Sequence, residues 1–203
     1  MQRTTVQVGP FEVNCPVLAW GDRAWIVDPG AEPDRIAAVL ERARLVPEAI
    51  LLTHGHFDHI GAIPTLQSKW PGLKVYMHPA DERVITHPLN SFPPDYPAIG
   101  RPANICDVRE LEGVHSLKPI FTPGHTPGGM CYFFQDDGLL LSGDTLFAGS
   151  VGRTDLPGGD MATLMDSIDA LKTLPDETEV VPGHGCATTI GREKASNPFL
   201  LRG

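Results

Sequence analysis

The segment LLTHGHFDHIGA, positions 51–62, crowds His54, His56, Asp58 and His59 behind one apolar run. Neutral imidazole and carboxylate are ligands that zinc and iron favour. Four of them within six positions therefore point to a metal rather than to a polar turn that happens to be rich in histidine. Three more ligand-type residues close apolar runs further along: His125 in IFTPGHTPG, Asp144 in LLLSGDTLF and His184 in VVPGHG. A glycine beside each lets the backbone turn sharply and lets other groups approach. Taken singly, a histidine is more often a packed core side chain and an aspartate beside glycine a turn residue. The joint pattern carries the metal reading.

Seven ligands exceed what one tetrahedral zinc needs and suit two divalent ions that share a carboxylate. His54 and His56 alternate by two, so on an extended loop both face one ion. Asp58 and His59 follow where the chain begins to coil and face a second. His125 completes the first set, His184 the second, and Asp144 bridges. Zinc is the expected metal; iron and manganese accept the same donors. Five of the eight histidines are used in this way, which leaves His78, His87 and His115 as surface residues.

The elements that must position these residues are legible in outline. TTVQV, VLAW and RAWIVDPG read as strands separated by Gly-Pro and Gly-Asp turns, and EPDRIAAVLERARL has helical spacing with Pro33 and Asp34 in its first turn. EAILLTH is a short buried strand, DHIGAIPTLQSKW a helix with Pro64 near its start, and LKVYMHP another strand. Residues 88–104, PLNSFPPDYPAIGRPAN, are rich in proline and form a surface loop or lid. LKPIFTPGH, GMCYFFQ, GLLLSGD and TEVVPGH are strands, DMATLMDSIDALKTL is an amphipathic helix and TTIGREKASNP a short closing helix. Two halves of similar make-up imply two sheets packed face to face with helices outside, an α/β four-layer αβ/βα sandwich. With no linker visible in 203 residues, the reading is a single domain over 1–203.

Composition narrows the partners. Net charge is −9 with no basic run, which argues against nucleic acid or an anionic membrane. The amino terminus lacks the apolar core of a signal peptide and no stretch is long enough to span a bilayer, so the expected location is the cytoplasm. Cys15, Cys106, Cys131 and Cys186 are scattered and read as free thiols. Cys186, two residues after His184, reads as a bystander.

THGHFDH, TPGHTPG, SGDTLF and PGHG, in that order and across nearly the whole chain, resemble the metallo-β-lactamase superfamily. The resemblance implies the αβ/βα sandwich with a dinuclear site at one edge. IVDPG also looks like that superfamily and implies that Asp28 orders the His54 loop from behind the ligands, where the plainer alternative is a turn-forming Asp before Pro29. GDTLFAGSVGRTDLPGGD is similar to the short glyoxalase II type, the hydroxyacylglutathione hydrolases, and its GRTD portion also looks like persulfide dioxygenases.

The expectation is therefore a metal-dependent hydrolase that cleaves a small-molecule thioester such as S-lactoylglutathione with a metal-bound hydroxide. Asp58 doubles as ligand and proton acceptor for the attacking water. A thiolate leaves readily, so no strong general acid is needed. Arg153 is the candidate for gripping a carboxylate of a glutathione-like portion; the alternative is an Arg153–Asp155 turn interaction. The rival readings are a persulfide dioxygenase with one iron on His54, His125 and Asp144, a lactonase or β-lactamase, and a metal-holding module without catalysis.

Overall fold

Two compact units make up the computed structural model of the chain, one from Met1 to Val108 and one from Arg109 onward, and residues 1–201 are described.

In the first unit, strands β1 (Gln2–Val8), β2 (Val13–Trp20) and β3 (Arg23–Val27) form an antiparallel meander. Helix α1 (Pro33–Arg42) then carries the chain to β4 (Val46–Leu51), which lies parallel to β3. Helices α2 (Phe57–Ile60) and α3 (Ile63–Lys69) lead to β5 (Lys74–Met77). Helix α4 (Glu82–Ile85) and the proline-rich segment lead to β6 (Ile105–Asp107), and β4, β5 and β6 continue the parallel half of the sheet. The six strands run in sequence order. Helix α1 buries Ile36, Ala37 and Leu40, the stripe expected of a helix laid on a sheet. These residues join Ile26, Ile50, Ile63 and Val75 in one apolar core.

The stretch expected to be one helix is two. The break falls at Gly61 and Ala62, and Pro64 lies in the first turn of α3, where a missing amide donor costs nothing. Residues 88–104 lack regular structure apart from a bridge between Phe92 and Tyr96. Helix α4 and strand β6 were not foreseen, since each is at most one turn or three residues long.

The second unit is a five-stranded sheet of order β13-β12-β9-β8-β7. Its members are β7 (Leu117–Phe121), β8 (Met130–Phe134), β9 (Leu139–Gly143), β12 (Glu179–Pro182) and β13 (Thr188–Thr189). A small hairpin, β10 (Leu146–Phe147) and β11 (Ser150–Val151), follows β9. Only the β9–β12 pair is parallel. Helix α5 (Met161–Leu171) buries Leu164, Ser167, Ile168 and Leu171 at helical spacing, and packs with Phe133, Leu140 and Val180.

Helix α6 (Ile190–Ser196) matters through Glu193, which is 1% exposed. Its carboxylate accepts from the Thr188 hydroxyl at 2.6 Å, the Gly149 amide at 2.7 Å and the Asn197 amide at 2.8 Å. It thereby fastens the β10–β11 hairpin to the helix. Glu193→Ala removes the acceptor of the buried Thr188 hydroxyl and Asn197 amide and is expected to lower unfolding free energy by about 2 kcal/mol, read from the midpoint of urea denaturation.

The four cysteines are free thiols, Cys15 and Cys131 buried and Cys186 exposed. Among the described residues no helix is long and apolar enough to cross a membrane.

Candidate metal centre

Strands β3 and β4 are parallel neighbours with Val27 opposite Leu51, so the residues that follow them emerge at the same sheet edge. Asp28 follows β3, and Thr53 and His54 follow β4. Asp28 has φ +46°, a left-handed conformation that aspartate tolerates better than most side chains. It is 2% exposed. Its Oδ1 accepts from the Thr53 amide at 2.8 Å, and its Oδ2 accepts from the Thr53 hydroxyl at 2.6 Å. The same Oδ2 stands 3.1 Å from His59 Nδ1.

These contacts fix which imidazole nitrogen carries the proton. Thr53 has one hydroxyl proton, and the Asp28 carboxylate, an acceptor only, takes it. At its 3.0 Å contact with His54 Nδ1 the hydroxyl can therefore only accept, so His54 is protonated on Nδ1 and presents a lone pair at Nε2. The His54 ring is thus in the tautomer a metal ligand needs, with its other nitrogen held by a partner behind it. Ring centroids lie 4.8 Å apart for His54 and His56, and 4.1 Å apart for His54 and His59. Asp58 Oδ2 stands 3.9 Å from His59 Nε2.

The loop is clamped by residues that sequence reasoning missed. The Gly55 amide donates to Asp81 Oδ2 at 2.8 Å, and the Phe57 amide donates to Asn90 Oδ1 at 3.0 Å. Asn90 donates in turn to the Gly55 carbonyl at 2.9 Å. Nothing in DERV or PLNSF announces these roles; both residues act only once the chain has folded back 26 and 35 positions. Gly30 is required where the turn after β3 meets the loop, since a Cβ there would coincide with the Asp58 carbonyl.

The second unit repeats the device. Strands β9 and β12 are parallel, so Asp144 and His184, which follow them, leave the sheet at one edge. The turn from β7 to β8 returns to that edge because both flanking pairings are antiparallel, and it carries His125. Asp144 Oδ2 lies 3.7 Å from His125 Nε2 and 3.6 Å from His184 Nε2. His125 Nδ1 is 2.7 Å from the Arg153 carbonyl, an acceptor only, so here too Nδ1 holds the proton and Nε2 the lone pair. A Cβ at Gly152 would strike the Asp144 carbonyl and come within 3.1 Å of His125 Nδ1, so glycine alone lets these two loops meet. His125 is positioned from below by α5, whose Ser167 hydroxyl donates to the Pro123 carbonyl at 2.7 Å.

Donor separations of 3.6–3.9 Å are too long for hydrogen bonds. They are close to the roughly 3.4 Å between two ligands that each sit about 2.1 Å from one tetrahedral ion. Asp28, His54 and His59 also lie within 4.8 Å of one another. The donor types, the pinned tautomers of His54 and His125, and these spacings suit divalent metal. Both Asp28 oxygens are occupied by Thr53 and one of them also faces His59, which suits a residue that orients ligands.

Arg153 contributes its backbone carbonyl, while its guanidinium is closed on Asp155, Nε to Oδ1 at 2.6 Å and Nη2 to Oδ2 at 2.8 Å. This is the turn interaction weighed above. The pairing holds the Asp155 carboxyl down at about 2 by stabilising its charged form. In Arg153→Ala the midpoint is expected to rise toward about 3.9, followed by carboxyl-carbon NMR of Asp155 as pH is lowered. His78 and His87 accept from the Ala80 and Leu89 amides through Nδ1, as local turn caps, and His115 is exposed.

The comparisons follow the same residues. Residues 8–184 match the metallo-β-lactamase superfamily in one run that includes every ligand candidate. "Probable metallo-hydrolase YqgX" of Bacillus subtilis is 41% identical, over 98% of each chain. Hydroxyacylglutathione hydrolase GloC of Haemophilus influenzae is 35% identical over 96% of each. Among solved structures, TTHA1623 in a di-iron-bound form is 39% identical with TM-score 0.89, covering 97% of this chain and all of that one. The BLEG-1 B3 metallo-β-lactamase is 36% identical with TM-score 0.89, covering 98% and 99%. The α/β sandwich class expected from the sequence is the class of these structures. A match of this length, on a chain whose His54 and His125 already present lone pairs at Nε2, makes the protein a metallo-hydrolase that belongs to the metallo-β-lactamase superfamily.

Proposed function

We propose that this protein hydrolyses a thioester of the S-lactoylglutathione kind, using two divalent ions, zinc by preference, held by His54, His56, Asp58, His59, His125, Asp144 and His184. The observation that carries the reading is the orientation of two imidazoles, with Nδ1–H of His54 held by the Thr53 hydroxyl, that of His125 by the Arg153 carbonyl, and His125 Nε2 facing Asp144 Oδ2 at 3.7 Å. The likeness to GloC over nearly the full chain supports the substrate class, and the di-iron form of TTHA1623 supports the count of two ions and iron as the other candidate.

Bound divalent ions supply acidification of a water and Lewis-acid polarisation of the scissile carbonyl. Asp58, with its side chain 14% exposed beside His59, accepts the proton of the attacking water at Oδ2. Asp28 and Thr53 hold the His54 proton on Nδ1, so the Nε2 lone pair stays available to a metal. A thiol is acidic enough, with pKa about 8.5, to depart as thiolate without a donor from the protein. Arg153 serves a substrate carboxylate by exchanging it for Asp155, since a solvent-exposed pair of this type is screened by water and readily exchanged. The reaction is placed in the cytoplasm and involves neither nucleic acid nor membrane.

The test is S-D-lactoylglutathione hydrolysis by protein of measured metal content, beside a chelated control. Chelator-sensitive loss of the thioester supports the reading. A second reading, β-lactam hydrolysis, rests on the likeness to the B3 enzyme and is assayed in parallel with nitrocefin. Inert thioester in metal-loaded protein, with oxygen uptake on glutathione persulfide, replaces both with a dioxygenase.

A further inference from the structure

Four aromatic rings gather beside the ligand loop, all within the first unit. Phe11 stands in the turn between β1 and β2, Phe57 between His56 and Asp58, and Phe92 and Tyr96 face each other across the bridge in the proline-rich segment. Phe11 lies 5.9 Å from Phe57, 5.4 Å from Phe92 and 5.6 Å from Tyr96, centroid to centroid. Phe57 is 5.3 Å from Tyr96 and nearly parallel to Phe92 at 6.2 Å. These are the separations of packed aromatic pairs.

The cluster is held open rather than folded away. Tyr96 is the floor at 2% exposure, whereas Phe11 is 41% and Phe92 51% exposed. Backbone bonds fix the frame: Phe92 and Tyr96 exchange amide-to-carbonyl bonds at 2.7 and 2.8 Å, and the Phe57 amide is bound by Asn90. Contiguous apolar rings held at the surface are a feature of ligand-binding grooves.

What covers the rings follows from their neighbours. Phe57 is flanked in the chain by two metal-ligand candidates, so a group resting on it lies one residue from the reacting atoms. Aromatic rings suit the apolar end of a substrate rather than its charged carrier.

We infer that Phe11, Phe57, Phe92 and Tyr96 form an acyl subsite, and that among thioester substrates those with larger, apolar acyl groups bind more tightly. The inference rests on the thioester reading above, and binding of inert analogues separates the two. The dissociation constants of S-benzyl and S-methyl thioethers are measured by calorimetry on metal-loaded protein, each ether carried on glutathione and on N-acetylcysteamine. The benzyl ether is expected to bind about tenfold more tightly than the methyl ether on either carrier. Phe11→Ser and Phe92→Ser should each reduce that ratio to within about twofold, while Phe92→Leu, which stays apolar, retains part of it. A ratio near one in the unaltered protein overturns the subsite, and so does a ratio that survives both serine variants. If the ratio behaves as expected but no thioester is hydrolysed, the hydrolase reading falls and the subsite stands.

Discussion

Asp144→Asn is expected to lose most bound metal and to slow turnover by at least about 10³-fold, close to 4 kcal/mol of transition-state stabilisation. One oxygen, Asp144 Oδ2, faces His125 Nε2 at 3.7 Å and His184 Nε2 at 3.6 Å. His125 presents a lone pair there, because the Arg153 carbonyl has claimed its Nδ1 proton. A carboxylate oxygen and an imidazole lone pair turned toward one point repel each other unless a positive charge lies between them. Asparagine removes the negative charge and, in one of its two orientations, sets an amide donor at that point. Elemental analysis beside the rate assay reads both consequences. Full activity with metal retained would remove Asp144 from the site.

Asp28→Asn acts at a distance from the chemistry, on His54 through Thr53 and beside His59. With Asp28 ionised, the Thr53 hydroxyl proton is committed to Oδ2 at 2.6 Å, and His59 Nδ1 faces the same oxygen at 3.1 Å. An amide NH₂ in that position donates instead of accepting. The Thr53 hydroxyl is then free to donate to His54 Nδ1, 3.0 Å away, which drives the His54 proton onto Nε2. The reverse amide orientation sets NH₂ against the Thr53 amide, donor against donor. Metal affinity should fall about 10- to 100-fold in a chelator-competition titration. Metal-stripped protein should unfold about 2 kcal/mol more easily, since buried donors are left unmatched. Unchanged affinity with lowered stability would reduce Asp28 to the turn residue it might have been from sequence alone.

What the chain order reveals, and what it conceals, divides along the range of the interactions. HxHxDH is local, and strand ends capped by glycine are local, so the ligand candidates and the α/β class could be read directly. Parallel pairing of β3 with β4 and of β9 with β12 brings residues from separate strands to one edge, and alternating strands and helices made that arrangement foreseeable. Asp81 and Asn90 could not be found, because an aspartate in a helical turn and an asparagine among prolines have many commoner uses. Their function exists only through hydrogen bonds to the Gly55 and Phe57 backbone. Arg153 shows the opposite limit. Its side chain was read for its charge, yet in the structure its carbonyl orients His125 while its fork is shared with Asp155. Sequence shows which groups are present, and backbone groups are present everywhere.

Asn90 bears on motion as well as position. It accepts from the Phe57 amide and donates to the carbonyls of Gly55 and Ile85, so the proline-rich segment, the helix before it and the ligand loop share one set of bonds. Such a segment cannot swing as an independent lid; opening it releases the loop that carries His54, His56, Asp58 and His59. Amide protons on both sides should exchange with solvent at a common rate, as one cooperative opening unit. Whatever slows that opening, ion or substrate, protects both stretches at once, so the proline-rich segment reports on occupancy of a loop more than thirty residues before it in the chain.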